Sequence, residues 1–197
     1  MAQPKYQIAT IGSHSALQIF KGAHDEGFKT IAVCKKGYET PYKMFNSADE
    51  IITINSYKDF PKIQNELIEK NAIVIPHGSF VTYMGYENVE KLKVLYYGNK
   101  KILKWESDRY LERQWLVNSG FKVPVLFKSP KDIDRLVIVK FMGAEGGRGY
   151  FLAKDEKDFN KKIKPYKLRK YVIQEYIIGV PLFIHYFYSS LTNEIEI

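Results

Sequence analysis

Apolar and polar positions follow two rhythms along the first half of the chain. Short apolar runs rich in β-branched residues predict strands, and stretches with apolar residues three or four positions apart predict helices. The helix at 59–70, for example, places Ile63, Leu67 and Ile68 on its buried face. Such an alternation predicts βαβ units and an open parallel sheet. The predicted strands are 6–11, 30–34, 50–54, 72–76 and 94–96, and the predicted helices are 16–26, 59–70 and 86–92.

Two of the predicted strands run into short loops of similar chemistry. The first loop is Gly12-Ser13-His14-Ser15 and the second is His77-Gly78-Ser79-Phe80. In a parallel sheet, loops at the carboxyl ends of strands open onto helix N-termini, where phosphate and other polar ligands bind. The same residue types are ordinary in turns, and Ser13 and Ser15 are candidate N-caps of the first helix. Because glycine, serine and histidine occur together twice at strand ends, we favour a binding role.

The second half of the chain predicts a mixed α+β region. Its most distinctive part is residues 136–153, LVIVKFMGAEGGRGYFLA, which read as a strand, a glycine-rich turn and a second strand. Such a turn brings backbone N–H groups against an anion, and Lys140 and Arg148 add positive charge. Lysine precedes the glycines and a strand follows them, so the segment is neither a P-loop nor a dinucleotide fingerprint. A β-hairpin flap over a polyphosphate fits it better, with an exposed glycine loop as the alternative.

The elements around this flap predict how the chain divides. Residues 99–108 read as a connector, so we expect an N-terminal α/β unit at 1–98 and a second unit at 99–197. Within the second unit we expect a flap lobe at about 121–170 and the start of another lobe at 171–197. The predicted helices of this half are 107–119 and 156–163, and the predicted strands are 136–139, 150–153, 171–175, 182–189 and one that begins at Asn193.

Composition and charge narrow the classes of protein. No apolar run reaches the roughly 18–20 residues of a membrane span, and the N-terminus has no apolar signal region. The single cysteine, Cys34, lies in the apolar run IAVC, so we expect a buried strand residue and a reducing cytoplasm. The net charge of +8 suits a phosphate-rich small ligand. Nucleic acid is the less favoured partner, because the sequence has no RNP motif, helix-turn-helix pattern or zinc-ligand spacing.

Several segments together resemble the ATP-grasp superfamily. They are the flap with Lys140 before GGRGY, the strand end Gln174-Glu175-Tyr176-x-x-Gly179 and the open α/β unit that precedes both. The segments IGSHS, IPHGSF, NKKILKWESDR and LTNEIEI are in addition similar to the archaeal formate-dependent FAICAR synthetases of that superfamily. The resemblance covers nearly the whole chain. It implies a Rossmann-like pre-ATP-grasp unit followed by an incomplete ATP-grasp domain.

The resemblance implies a ribotide site in the first unit. In that family the histidine of IGSHS and the serine of HGSF contact 5-aminoimidazole-4-carboxamide ribotide (AICAR). These residues correspond to His14 and Ser79, and we add the neighbouring hydroxyls of Ser13 and Ser15 to the expected site.

An ATP site is implied in the second unit. In the superfamily a lysine before the glycine-rich hairpin contacts the phosphates, and a strand end reads the adenine through its backbone. Gln174 stands here for the first Glu of the usual strand end, and Pro181 stands where an acidic residue is usual, so Glu196 becomes the substitute. The expected ATP-binding residues are Lys140, Gly143, Gly146, Gly147, Arg148, Gly149, Glu175, Tyr176, Ile177 and Glu196.

The implied reaction joins formate to AICAR in purine synthesis, with ATP and Mg²⁺ or Mn²⁺ as cofactors. It proceeds through formyl phosphate by positioning and charge stabilisation, so no side-chain nucleophile is expected. The sequence ends at Ile197, where the second lobe begins, so we expect the metal ligands beyond it and the chain to be a fragment or a truncated version. The alternative is an ATP- and ribotide-binding paralogue without this activity. The sequence leaves homo-oligomerisation open.

Overall fold

The computed structural model describes residues 5–141, 149–166, 169–184 and 186–196. The chain forms two compact units, Met1–Phe121 and Lys122–Ile197. The sequence predicted a division after residue 98, some twenty residues earlier. The difference arises because residues 99–108 are not simply a connector: they contain a helix that packs against the helices on either side of it.

The first unit is built on an all-parallel sheet of five strands. Its strand order is β3-β2-β1-β4-β5, so the chain starts in the middle, builds outward to one side and then returns to the other. This confirms the open parallel sheet that the alternation of elements predicted. The strands are β1 (Gln7–Ile11), β2 (Lys29–Lys35), β3 (Glu50–Ile54), β4 (Ala72–Val74) and β5 (Leu95–Tyr96).

Helices connect these strands, and one prediction about them was wrong. The expected continuous helix at 59–70 is a 3₁₀ helix, Tyr57–Ile63, followed by a short α-helix. Pro61 lies inside the 3₁₀ segment and supplies no N–H for an α-helical bond. Leu67 is buried as expected, but Ile68 is 43% exposed. The α-helices of the unit are α1 (Ala16–Asp25), α2 (Thr40–Met44), α3 (Gln64–Glu69), α4 (Phe80–Met84), α5 (Tyr86–Glu90), α6 (Ile102–Ser107) and α7 (Arg109–Asn118).

Apolar side chains pack on both faces of this sheet. Alternate residues of a strand point to opposite faces, and in β2 Ile31 and Val33 join the larger core cluster while Ala32 and Cys34 join a second one with Phe20 of α1. The prediction that Cys34 is a buried strand residue is therefore confirmed. Burial raises the pKa of its thiol to about 12, so the thiol is protonated and unreactive at neutral pH.

The second unit contains an antiparallel sheet of four strands in the order β6-β9-β7-β8, and a separate hairpin, β10-β11. The paired strands β7 and β8 are the two arms of the predicted flap, so its hairpin geometry is confirmed. The strands are β6 (Leu126–Phe127), β7 (Val137–Phe141), β8 (Tyr150–Ala153), β9 (Tyr171–Glu175), β10 (Phe187–Ser189) and β11 (Glu194–Glu196). The α-helix among the described residues of this unit is α8 (Glu156–Lys162), and two short 3₁₀ helices are Pro130–Asp132 and Lys164–Tyr166.

Two boundaries in this unit differ from the sequence prediction. Residues 171–175 do not open a new lobe, because β9 pairs with both β6 and β7 in the sheet of the flap. The long strand expected at 182–189 is limited to Phe187–Ser189. Within the described residues β10 pairs with the equally short β11, and a strand extends only as far as its hydrogen-bonded neighbour does.

In the part of the chain that the structure describes, no helix is long and apolar enough to cross a membrane.

Candidate functional site

The two histidine-containing loops leave neighbouring strands of the parallel sheet. β1 and β4 pair in the register Gln7↔Ala72, and the strand order reverses between them. At such a reversal the loops beyond the carboxyl ends diverge and leave a crevice, which is where open α/β sheets bind their ligands. The structure thus brings together two segments that lie more than sixty residues apart in the sequence.

The rings of His14 and His77 stack across this crevice. Their centroids are 5.7 Å apart and their planes differ by 14°. His77 is half-buried: its Nε2 lies 3.0 Å from the carbonyl oxygen of Ile11, and its Nδ1 lies 3.3 Å from the backbone nitrogen of Ser79. Burial lowers the pKa of His77 below its ordinary value, and the adjacent His14 lowers it further. An exposed imidazole, His14, therefore rests on a second imidazole that is uncharged at neutral pH.

The serines of the first loop are held by partners that the sequence did not suggest. Ser13 Oγ lies 2.7 Å from the hydroxyl of Tyr83, and the Tyr83 ring stacks on Tyr57 with centroids 4.5 Å apart. Tyr57 in turn donates its hydroxyl to the carbonyl oxygen of Gly12 at 2.8 Å. Tyr57 and Tyr83 were missed because they come from segments far along the chain and carry no local motif. Through these hydrogen bonds the two tyrosines hold the first loop in place.

Of the two predicted N-caps, Ser15 is at the N-cap position and Ser13 is not, and the expected capping hydrogen bond is not formed. Ser15 occupies the N-cap position of α1, but its side chain makes no capping hydrogen bond. Its Oγ lies instead 2.5 Å from Nδ1 of His14. In the second loop Ser79 precedes α4, which has only five residues. The hydroxyls of Ser13 and Ser15 are thus directed by Tyr83 and His14 and not by helix capping, and the Ser79 side chain makes no capping hydrogen bond either.

Gly12 allows the first loop to pack closely against the core. A Cβ atom at this position would lie 2.5 Å from Cys34 Sγ and 2.8 Å from Tyr42 Cε2, which is closer than real contacts allow. We expect Gly12→Ala to lower the free energy of unfolding by about 1–3 kcal/mol through overpacking, as measured by urea denaturation. Gly78→Ala is the matched control, since a Cβ there has no neighbour within 4 Å. Equal stability of the two variants would contradict this packing.

His14 adopts a backbone conformation that side chains with a Cβ rarely occupy. Its φ is +48°, in the left-handed region. Such strain is commonly found at functional positions. We expect the free energy of unfolding of His14→Gly to be about 1 kcal/mol higher than that of His14→Ala, because glycine adopts a left-handed conformation without steric cost. Both variants lack the imidazole, so their difference in thermal or urea denaturation isolates the backbone strain, and equal stability would contradict it.

The second candidate site lies on the flap sheet. Val137, Val139 and Phe141 of β7 are buried, so Lys140 points to the opposite face of the sheet. Its Nζ lies 3.4 Å from the side-chain oxygen of Gln174, a residue of the neighbouring strand β9. Gln174 is at the position where the strand end of ATP-grasp proteins usually has its first Glu. Lys140 therefore has a neutral polar neighbour on this face.

Glu175 has a structural role in its own unit. Its carboxylate accepts a hydrogen bond from the backbone nitrogen of Val125 at 3.1 Å and lies 3.2 Å from Nη1 of Arg135. These two interactions lower the pKa of Glu175, the backbone bond having the larger effect. The backbone nitrogens of Glu175 and Tyr176 donate to Val125 and Leu136. Of the three predicted adenine-reading residues, Ile177 therefore remains the candidate for a backbone N–H contact.

The remaining predicted ATP-binding residues are only partly covered by the structure. The carbonyl oxygen of Gly149 accepts from the backbone nitrogen of Phe141 at 2.8 Å, which closes the base of the flap. Glu196 lies in β11 opposite Phe187, and its side chain is outside the described residues. Gly143, Gly146, Gly147 and Arg148 are also outside them. Within the described ranges no group of three or more His, Cys, Asp and Glu side chains could hold a metal ion.

Comparison with family models places the chain in a family. The model described as "Protein of unknown function (DUF1246)" matches residues 8–127, more than half of the chain. A second model, "Domain of unknown function (DUF1297)", matches residues 152–197. The chain therefore belongs to the DUF1246 family.

Curated proteins and solved structures agree with the resemblance seen in the sequence. The chain is 50% identical over 198 residues to the 5-formaminoimidazole-4-carboxamide-1-(beta)-D-ribofuranosyl 5'-monophosphate synthetase (FAICAR synthetase) of Pyrococcus abyssi, covering 97% of this chain and 57% of that protein. Among solved structures it is similar to the IMP biosynthesis protein PurP from Thermococcus kodakaraensis, with 30% identity and a TM-score of 0.74 over 96% of this chain and 56% of that one.

A more distant likeness supports the fold alone. The N5-carboxyaminoimidazole synthetase of Staphylococcus aureus, solved with ADP, is 22% identical with a TM-score of 0.70, over 90% of this chain and 48% of that one. The architecture is that of a partial ATP-grasp protein with a Rossmann-like first unit, as predicted. The chain spans little more than half the length of the relatives it matches.

Proposed function

We propose that this chain is the AICAR- and ATP-binding part of an ATP- and formate-dependent ligase that forms FAICAR in purine (IMP) biosynthesis. The observation that carries the proposal is the meeting of the His14 and Ser79 loops at the β1–β4 crevice. It occurs in a chain that is 50% identical to a protein named as a FAICAR synthetase. The buried thiol of Cys34 suits the cytoplasm as the place of this reaction.

The first unit offers the chemistry that a ribotide requires. AICAR carries a phosphate monoester, ribose hydroxyls and a planar base. The exposed His14 imidazole and the hydroxyls of Ser13, Ser15 and Ser79 can donate to phosphate and sugar oxygens. Stacking on His77 and the bond to Tyr83 hold two of these groups in place before the ligand arrives. Groups that are ordered in advance lose little entropy on binding.

The second unit offers the chemistry that ATP requires. Lys140 presents a positive charge on the face of the flap sheet opposite to the core, at the point where the glycine-rich turn begins. We assign Lys140 and residues 143–149 to the phosphates and the segment 175–177 to the adenine. Glu196 remains the substitute for a ribose contact. Among the residues that the structure describes, we assign no ligand of Mg²⁺ or Mn²⁺.

The proposed reaction has two steps. A formate oxygen attacks the γ-phosphorus of ATP, and the bond from this phosphorus to the β,γ-bridging oxygen breaks. ADP is the leaving group, and formyl phosphate is the intermediate. The amine of AICAR then attacks the formyl carbon, phosphate leaves, and the amine loses a proton. Lys140 neutralises charge on the transferring phosphoryl group, while His14 and the serines hold the ribotide so that its amine is correctly placed.

The products of ATP distinguish this reaction from other uses of the nucleotide. Incubation of the complete ligase, of which we propose that this chain is a part, with formate, AICAR and ATP is expected to yield ADP and phosphate in equal amounts together with FAICAR. Formation of AMP, or ATP consumption that is indifferent to AICAR, would overturn the proposal. Binding of both ligands without turnover would favour the alternative of a ribotide- and ATP-binding protein without this activity.

A further inference from the structure

His77 makes the contacts that join the two loops of the crevice. We infer that His77 is a positioning residue: it sets the ring of His14 and the backbone amide of Ser79 for the ribotide without being a ligand contact itself. The inference rests on the proposed function for the identity of the ligand, and on the hydrogen bonds of one imidazole for its physical basis.

The two hydrogen bonds define one state of the His77 ring. A backbone N–H is a donor only, so the Nδ1 that receives the Ser79 amide must be unprotonated. A carbonyl oxygen is an acceptor only, so the Nε2 that faces Ile11 must carry the proton. Together the partners select the neutral Nε2–H tautomer. Burial, which lowers the pKa of His77, favours the same state.

A neutral His77 in this position links parts of the chain that are far apart in the sequence. Through Nε2 it is bonded to the last residue of β1, and through Nδ1 to the amide of its own loop, two residues onward. Phe80 packs against the ring nearly edge-on, with centroids 5.2 Å apart and planes at 80°. The ring is thus held by both nitrogens and by Phe80, and one of its faces supports His14.

This arrangement separates the two histidines by task. His14 is exposed and is directed by Ser15, so it can meet a ligand. His77 is half-buried with both nitrogens engaged within the protein. A protonated His77 would lose its acceptor for the Ser79 amide and would repel a cationic His14. The crevice therefore depends on His77 as a neutral support.

The tautomer is measurable without any ligand. A long-range ¹H–¹⁵N correlation spectrum of the wild-type protein at pH 7.5 is expected to show His77 as the neutral Nε2–H form, assigned by its loss in His77→Gln. A cationic ring, the Nδ1–H tautomer or rapid exchange between the two tautomers would overturn the inference.

Three substitutions divide the two bonds. In His77→Gln the side-chain amide lies near the position of Nε2, so a donor for the carbonyl oxygen of Ile11 is kept. In His77→Asn the side-chain amide lies near the position of Nδ1, so an acceptor for the backbone amide of Ser79 is kept. His77→Leu keeps neither group. Calorimetric titration with AICAR is expected to show an affinity loss of roughly tenfold or more for His77→Leu. His77→Gln and His77→Asn are expected to lie between leucine and the wild type. The control is His24→Gln, which changes a histidine of α1 that is hydrogen-bonded to Thr30 and Asp49. This variant should bind AICAR with the affinity of the wild type.

The outcome separates positioning from simple stabilisation. We expect the glutamine and asparagine variants to be fully folded by circular dichroism at the titration temperature and yet weaker in AICAR binding. Wild-type affinity in all folded variants would overturn the inference and leave the proposed function intact. If the wild-type protein did not bind AICAR, the proposed function would fail, and so would the role of His77 in AICAR binding. The ¹H–¹⁵N correlation spectrum would still decide the tautomer of His77.

Discussion

Replacement of Lys140 by alanine is expected to weaken ATP binding by roughly tenfold to a hundredfold, because a charge-assisted hydrogen bond to phosphate contributes about 1.5–3 kcal/mol. AICAR binding should be nearly unchanged, since His14 and Ser79 belong to the other compact unit. Titration calorimetry with each ligand separately measures both effects. The effect on ATP should also weaken at high salt, as expected for contacts between charges.

The specificity of this result can be checked with a second lysine of the same unit. Lys157 lies on α8, outside the strands of the flap sheet, and is exposed, so Lys157→Ala removes the same charge at a different place in the unit. We expect it to bind ATP as the wild type does. Equal loss of ATP and AICAR in Lys140→Ala would indicate misfolding, and an unchanged ATP affinity would remove Lys140 from the site.

Replacement of His14 by alanine is expected to have the opposite pattern, with AICAR binding lowered by roughly tenfold or more and ATP binding retained. The exposed imidazole is stacked on His77 and bonded to Ser15, so its loss removes an ordered group from the crevice. Alanine keeps a Cβ at the strained backbone position, which leaves the loop conformation comparable. The same pair of titrations measures the effect.

A control and a second site residue complete this test. Ser79→Ala should also weaken AICAR binding, because Ser79 lies on the other loop of the crevice, whereas His24→Gln should not. A loss of ATP binding equal to that of AICAR in His14→Ala would argue against two separate ligand sites. Retention of full AICAR affinity in both His14→Ala and Ser79→Ala would place the ribotide elsewhere.

Much of the first unit could be predicted from the sequence, because its signals are local. Apolar runs of β-branched residues identified every strand of the parallel sheet, and the repeated Gly/Ser/His loops pointed to the carboxyl ends of β1 and β4. Pro61 could have indicated that the helix at 59–70 would not be continuous. The length of β10 depends on its pairing with β11, and the sequence of one strand does not predict how far its partner extends.

The detailed geometry of the crevice could not be predicted in the same way. His77 was visible as part of the HGSF loop, but its bond to Ile11 follows only from the pairing of β1 with β4. Tyr57 and Tyr83 reach the first loop through the packing of a 3₁₀ helix and α4, and no motif marks them. Long-range packing therefore supplies the residues that hold the site, whereas local sequence supplies those that can meet the ligand.

The most direct test of the account is a pair of calorimetric titrations of this chain, one with AICAR and one with ATP. We predict that each ligand binds in the presence of a saturating concentration of the other, that His14→Ala weakens only AICAR binding, and that Lys140→Ala weakens only ATP binding. Absence of AICAR binding to the wild-type chain, or competition of the two ligands for one site, would contradict the account.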